Sequence, residues 1–148
     1  MSIWQTQVTL DDLNRRTAGS LLRHLGILYT DIGADYLAGT LPVDARTVQP
    51  AGILHGGASV VLAETLGSTA ASLVIDNDAF YCVGQAISAN HIRAVSGGLV
   101  TGRAEPVHLG RRSQVWEIRI VEERRKLVCV ARLTMAVLEK AGETLPSS

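Results

Sequence analysis

From residue 58 to 75 the chain is small or aliphatic at nearly every position, contains no proline, and is closed by Asp76-Asn77-Asp78. This pattern predicts one long helix, and because its faces are almost uniformly apolar, the helix is expected to be buried rather than laid on a surface. The flanking pattern is strand-like. Ile27-Leu28-Tyr29-Thr30 and Tyr36-Leu37-Ala38-Gly39-Thr40-Leu41 sit on either side of a Gly33-Ala34-Asp35 turn and read as a hairpin. Four more runs follow the helix, at 80–91, 99–107, 114–121 and 127–138. They are broken by Ser96-Gly97-Gly98, by Leu109-Gly110-Arg111-Arg112 and by residues 122–126. Ahead of them all, Thr9 is placed to cap a short helix that carries Asp11 and Asp12 in its first turn and runs to about Gly19, with a further turn at 20–25. Residues 44–54, with Pro50 and Gly52, have no period and read as a loop. Strands on both sides of one buried helix predict an α+β domain with an antiparallel sheet, spanning 1–138, and a polar tail at 139–148.

At 148 residues the chain has room for one core and one site. With 47% hydrophobic and 19% charged residues it is not a disordered chain. Lys+Arg and Asp+Glu balance at 14 each, which removes the broad positive field expected of a partner for nucleic acid or an anionic membrane. Arg124-Arg125-Lys126 reads as a solvated hairpin tip. Cys82 and Cys129 lie in apolar runs without metal-ligand spacing, so they are expected to be buried thiols of a reducing compartment, with no metal site. No basic-then-apolar leader opens the chain and no window approaches about 18 uninterrupted apolar residues. A soluble, cytoplasmic protein is the expectation.

Glu64 changes this picture. It stands among Val60, Val61, Leu62, Ala63 and Leu66, where an ionised carboxylate is costly without a partner or a polar cleft. An ion pair or a bond to a backbone group would satisfy it structurally. Its neighbours point to chemistry. Gly56 and Gly57 immediately precede the predicted helix, so bare backbone with the dipole behind it can aim N–H groups at a developing oxyanion. His55 at the same turn can orient an acyl group or bind its carbonyl, although a loop histidine with a satisfied hydrogen bond is the plain alternative. Ser68, four residues past Glu64, shares its helical face and can hold a water or the carboxylate, or can simply bond to its own helix.

The stretch Gln49-Pro50-Ala51-Gly52-Ile53-Leu54-His55-Gly56-Gly57, with Ala63-Glu64-Thr65-Leu66-Gly67-Ser68, resembles the signature of the PaaI-type hotdog-fold thioesterases. Within that family the nearest branch is the small thioesterases of menaquinone and enterobactin synthesis. The similarity extends in order through about residues 3 to 138, including His24-Leu25-Gly26-Ile27, Leu41-Pro42-Val43-Asp44 and His108-Leu109-Gly110-Arg111. The resemblance implies a curved antiparallel sheet wrapped around the central helix, subunits paired so that each site lies between them, and a homodimer or a homotetramer built from two dimers. It implies acyl-CoA or acyl-pantetheine thioesters as substrates, with aromatic acyl groups favoured, and no cofactor. Position by position, Glu64 matches the catalytic carboxylate, as nucleophile or as base for water. Gly56 matches the oxyanion N–H, His55 and Gln49 match residues that place the carbonyl and attacking group, and Ser68 matches a helper one turn on.

His91 and Arg93 match a segment that lies along the pantetheine and phosphates, where this chain departs from the family with Ile92 and Ala94. Gly57, Arg111 and Arg112 complete the expected substrate-binding set, the two arginines as a phosphate grip or as a basic turn. Two other readings fit less well. A hotdog hydratase would pair a catalytic His with motifs absent here, and a non-catalytic acyl-CoA-binding regulator would need an output segment that the short N-terminal region does not supply. Carrier-protein-linked acyl groups would use the same catalytic set as acyl-CoA.

Overall fold

The computed structural model describes residues 1–142. Two short helices, α1 (Leu10–Arg15) and α2 (Leu21–Leu25), precede strands β1 (Leu28–Ile32) and β2 (Leu37–Pro42). The long helix α3 (Gly56–Leu73) follows, then β3 (Phe80–His91), β4 (Leu99–Leu109), β5 (Ser113–Val121) and β6 (Leu127–Glu139). All six strands form one antiparallel sheet in the order β1-β2-β4-β5-β6-β3. The helix lies across its concave face against β2 to β6. This is the sheet-wrapped helix that the sequence predicts.

Local chemistry explains most boundaries. Thr9 and Asp12 form a reciprocal capping box at α1. The helix ends at Arg15, earlier than the expected Gly19, because the Thr17 hydroxyl donates to the Asn14 carbonyl and Ser20 to the Thr17 carbonyl, turning the chain. The long helix starts at Gly56, two residues before the expected start, so both glycines belong to its first turn. It stops at Leu73 rather than at 75. Strand β6 reaches Glu139, where it pairs with Phe80, so the expected polar tail begins inside the sheet. Residues 143–148 of that tail lie outside the described residues.

The helix meets the sheet closely. Gly39 and Gly102 are directly paired across β2 and β4, and a Cβ on either would come within 3.0 Å or 2.8 Å of a Leu66 methyl, so their missing side chains form the slot that seats Leu66. Leu62, Leu66, Val100, Ile118 and Leu133 are fully buried around it, each worth about 1.5–3 kcal/mol of burial. At the far end of α3 the buried Gln114 bridges helix and sheet. Its amide donates to the Ala71 carbonyl at 3.4 Å while its oxygen accepts from Trp116 Nε1 at 2.8 Å. Bulges between Tyr29 and Asp31, Gly84 and Ala86, and Pro106 and His108 bend the strands around the helix.

Burial of α3 is incomplete. Val60, Val61, Glu64 and Ser68 form a half-exposed stripe on its outer face. Beside it β3, twelve residues long, occupies the sheet's edge with one flank bare of strand partners among the described residues. Tyr81 and Val83 on this strand are 42% and 40% exposed. Cys129 is buried and Cys82 half-buried, both as free thiols. Among the described residues no helix is long and apolar enough to cross a membrane.

Candidate active site

The start of α3 is set by His55. Its backbone is extended (φ −67°, ψ 129°), and its Nδ1 accepts a hydrogen bond from the Gly57 N–H at 2.8 Å. Accepting through Nδ1 fixes the neutral tautomer that carries its proton on Nε2, so the outer edge of the ring is a donor. The Ala58 and Ser59 N–H groups both donate to the His55 carbonyl, at 3.0 and 3.3 Å. Among the described residues this leaves the Gly56 N–H alone in the first turn without a protein acceptor, and the helix dipole adds positive charge there. Gly57 was expected to offer a second free N–H; the cap uses it instead. A Cβ on Gly57 would stand 2.9 Å from His55 Nδ1, so its missing side chain is what admits the ring.

The Gly56 N–H sits at a cleft of ≈ 320 Å³ lined by Gln49, Gly56, Ser59, His91, Arg93 and other residues. Gln49 is held in a tight turn: its backbone carbonyl accepts from Gly52 and its side-chain Oε1 from the Ala51 N–H, which leaves the amide NH₂ as the free end. Strand β3 delivers His91 beside the helix terminus. A Cβ on Gly56 would come within 2.8 Å of His91 Nε2, so the imidazole lies where only glycine leaves space. Just past the strand, the Arg93 backbone N–H donates to the Val128 carbonyl.

Glu64 stands elsewhere. It is eight residues along α3, about 12 Å further down the axis and turned about 80° around it. Half-buried, it faces β3, where a Cβ on Gly84 would lie 2.8 Å from its Oε1; Met135 Sδ is also close to that position. Ser68 follows one turn later on the same half-exposed stripe, with no hydrogen bond between the two among the described residues. Arg111 and Arg112 lie at the opposite end of the molecule from Gly56. With Val74, Ile75, Phe80 and Val137 they line a second cleft of ≈ 390 Å³ just beyond the C-terminus of α3. One chain therefore brings Gln49, Gly56, His91 and Arg93 together and leaves the carboxylate and the paired arginines apart from them.

Gly84 and Ser59 were not singled out by any motif. A glycine inside a strand run is a general sign of a bulge or a close backbone approach, and Gly84 proves to be both. Ser59 gives no such signal.

A family model of the thioesterase superfamily matches residues 51–129, a little over half of the chain. The chain belongs to the thioesterase superfamily. This thioesterase is 52% identical over 136 residues to the proofreading thioesterase EntH of Cronobacter sakazakii, covering 92% of this chain and 98% of that protein. It is 48% identical over 136 residues to the 1,4-dihydroxy-2-naphthoyl-CoA hydrolase of Escherichia coli strain K12, covering 92% and 99%. A crystal structure of a thioesterase from Haemophilus influenzae superposes on it with a TM-score of 0.92 at 47% identity, covering 97% of this chain and 99% of that one. The protein is a hotdog-fold thioester hydrolase, as the resemblance in residues 49–57 and 63–68 implied.

Proposed function

We propose that this thioesterase hydrolyses aromatic acyl-CoA to the free acid and CoA in sites built between two copies of the chain. The observation that carries the reading is the spacing along α3: the free Gly56 N–H at its open end and Glu64 about 12 Å further on. A carbonyl held at Gly56 is out of reach of the Glu64 of its own chain, and a second copy supplies the carboxylate. The bare flank of β3 and the half-exposed stripe Val60, Val61, Glu64 and Ser68 favour such a copy, because a long unpaired edge invites strand addition. Two β3 strands joined antiparallel about a two-fold axis bring the Phe80 end of one copy to the His91 end of the other. The Arg111-Arg112 cleft then adjoins Arg93 across the junction, giving the phosphates of CoA three guanidinium groups. Two such dimers make the tetramer.

In this arrangement the Gly56 N–H donates to the thioester carbonyl oxygen. The His55 Nε2–H and the Gln49 amide orient the thioester and the attacking group, while His91 and Gly57 border the pantetheine arm. Glu64 from the other copy either attacks the carbonyl carbon, giving a mixed anhydride that water opens, or takes a proton from the attacking water. Ser68 supports that carboxylate or its water from the next turn. Either route consumes one water and releases the CoA thiol. The free Cys82 and Cys129 favour the cytoplasm as its compartment.

The aromatic preference draws on the relative named for a naphthoyl-CoA; the relative named as a proofreading thioesterase favours a carrier-linked substrate as the second reading. A hydrolysis panel of aroyl-CoA, aliphatic acyl-CoA and carrier-bound acyl thioesters separates them, and the highest kcat/KM is expected on aroyl-CoA. Faster turnover of carrier-bound thioesters would transfer the function to the second reading. Light scattering at micromolar concentration is expected to give at least a dimer, and a fully active monomer would remove the shared site.

A further inference from the structure

Ser59 lies in the first turn of α3, only 1% exposed, in a layer with Ala58, Leu62 and Ala63. A hydroxyl inside a helix usually bonds back to a carbonyl of the preceding turn. Ser72 does so, donating to the Thr69 carbonyl at 2.8 Å. Ser59 Oγ has no hydrogen-bond partner among the described residues. It is not sealed in either, because none of their enclosed side-chain polar atoms lacks a partner. The residue lines the cleft that holds Gly56, Gln49 and His91, and its hydroxyl opens there. Helical side chains lean toward the N-terminus, so a residue three positions on covers the turn above it, which carries Ser59 Oγ back toward Gly56. A buried hydroxyl without a partner is unfavourable to the fold by itself.

We propose that Ser59 is a substrate-binding residue of this thioesterase, its Oγ–H donating to the thioester carbonyl oxygen beside the Gly56 N–H. The inference rests on the reading that the cleft at the open end of α3 receives the thioester. Sites that stabilise a tetrahedral oxyanion commonly converge several donors on it, and the helix end offers only one free N–H. The Ser59 hydroxyl supplies another from the same rigid element. Both hydrogen bonds strengthen as the carbonyl carbon becomes tetrahedral and charge gathers on its oxygen, so the contribution belongs to turnover more than to capture.

Ser59→Ala tests this on whichever thioester the wild-type enzyme turns over best. The expected result is a kcat lower by about 10- to 100-fold with KM within about twofold, and a Tm unchanged or raised, since no protein hydrogen bond is lost. Ser59→Cys, similar in size but a weak donor, is expected to fall between the two. Wild-type turnover in Ser59→Ala overturns the inference. So does a loss of activity matched by a fall in Tm and in the folded fraction, which assigns Ser59 to packing. If the wild-type enzyme itself hydrolyses nothing in the panel, the functional reading fails and this inference with it, a result distinguishable from both.

Discussion

Replacing Gly84 by alanine tests the assignment of Glu64 without altering Glu64. The new methyl would be built 2.8 Å from Glu64 Oε1, whereas ordinary contact begins at 3.4 Å, so the carboxylate must retreat by about 0.6 Å or swing aside. It is the far end of a flexible side chain and can do so without disturbing the sheet. Gly84 has no positive φ, so alanine is unstrained there and lowers the entropy of the unfolded chain. That is worth about 0.4–1 kcal/mol, or a rise in Tm of about 1–4 °C for a domain of this size. Misplacing a reacting group by most of an ångström costs about 10- to 100-fold in rate. Gly84→Ala is therefore expected to melt at or above the wild-type temperature while its kcat falls by about 10-fold or more, measured by thiol release from acyl-CoA beside a thermal melt. Full turnover in a folded Gly84→Ala protein would refute the idea that the oxygen facing β3 takes part in the reaction.

Glu64→Gln is expected to fold as the wild type does and to lose about 10² or more in kcat, because an amide neither attacks nor accepts a proton from water; near-normal turnover would remove Glu64 from the chemistry. Arg93→Ala, or the Arg111→Ala/Arg112→Ala pair, is expected to raise KM for acyl-CoA with little change in kcat and to matter less for an acyl-pantetheine lacking the nucleotide phosphates; equal losses on both substrates would give the arginines another role. Burial pushes the Cys82 and Cys129 thiols above the usual cysteine range. The folded state thus keeps those protons where the unfolded chain gives them up, and stability is expected to decline as pH rises past the ordinary thiol value. Denaturant melts between neutral pH and pH 10 check the sign, with Cys82→Ala expected to flatten the decline; a stability that rises over that range would contradict it.

The fold was legible where one physical requirement dominated a stretch of chain. The helix from 58 onward had composition and the absence of proline on its side, and each strand run was bounded by residues that turn or prefer water. The helix start was harder to read, because glycine has poor helix propensity and histidine is an unusual cap. Only the hydrogen bond from the Gly57 N–H to His55 Nδ1 shows that the first turn begins at Gly56. The end of β6 was hidden by its polarity, since pairing with Phe80 draws Glu139 into the sheet. The resemblance proposed candidate site residues without locating them relative to one another. His55-Gly56-Gly57 and Glu64 lie close in sequence, yet the rise of a helix separates Gly56 from Glu64 by about 12 Å. As a small residue Ser59 could be read as leaving room for an acyl group, but a polar role was not legible, because a serine in an apolar run carries no sign of whether its hydroxyl is bonded.

The slot that seats Leu66 acts as a set screw for the outer face of α3. Leu66 follows Glu64 by two positions, about 200° around the helix, so the residue locked into the sheet lies nearly opposite the carboxylate. Sliding α3 by one residue would move it 1.5 Å and rotate it 100°, and Leu66 would leave the gap between Gly39 and Gly102 to strike filled sheet. The placement of Glu64 is thereby indexed from behind, by two absent side chains on the far face of the helix, and filling either is expected to shift the carboxylate without changing any candidate site residue.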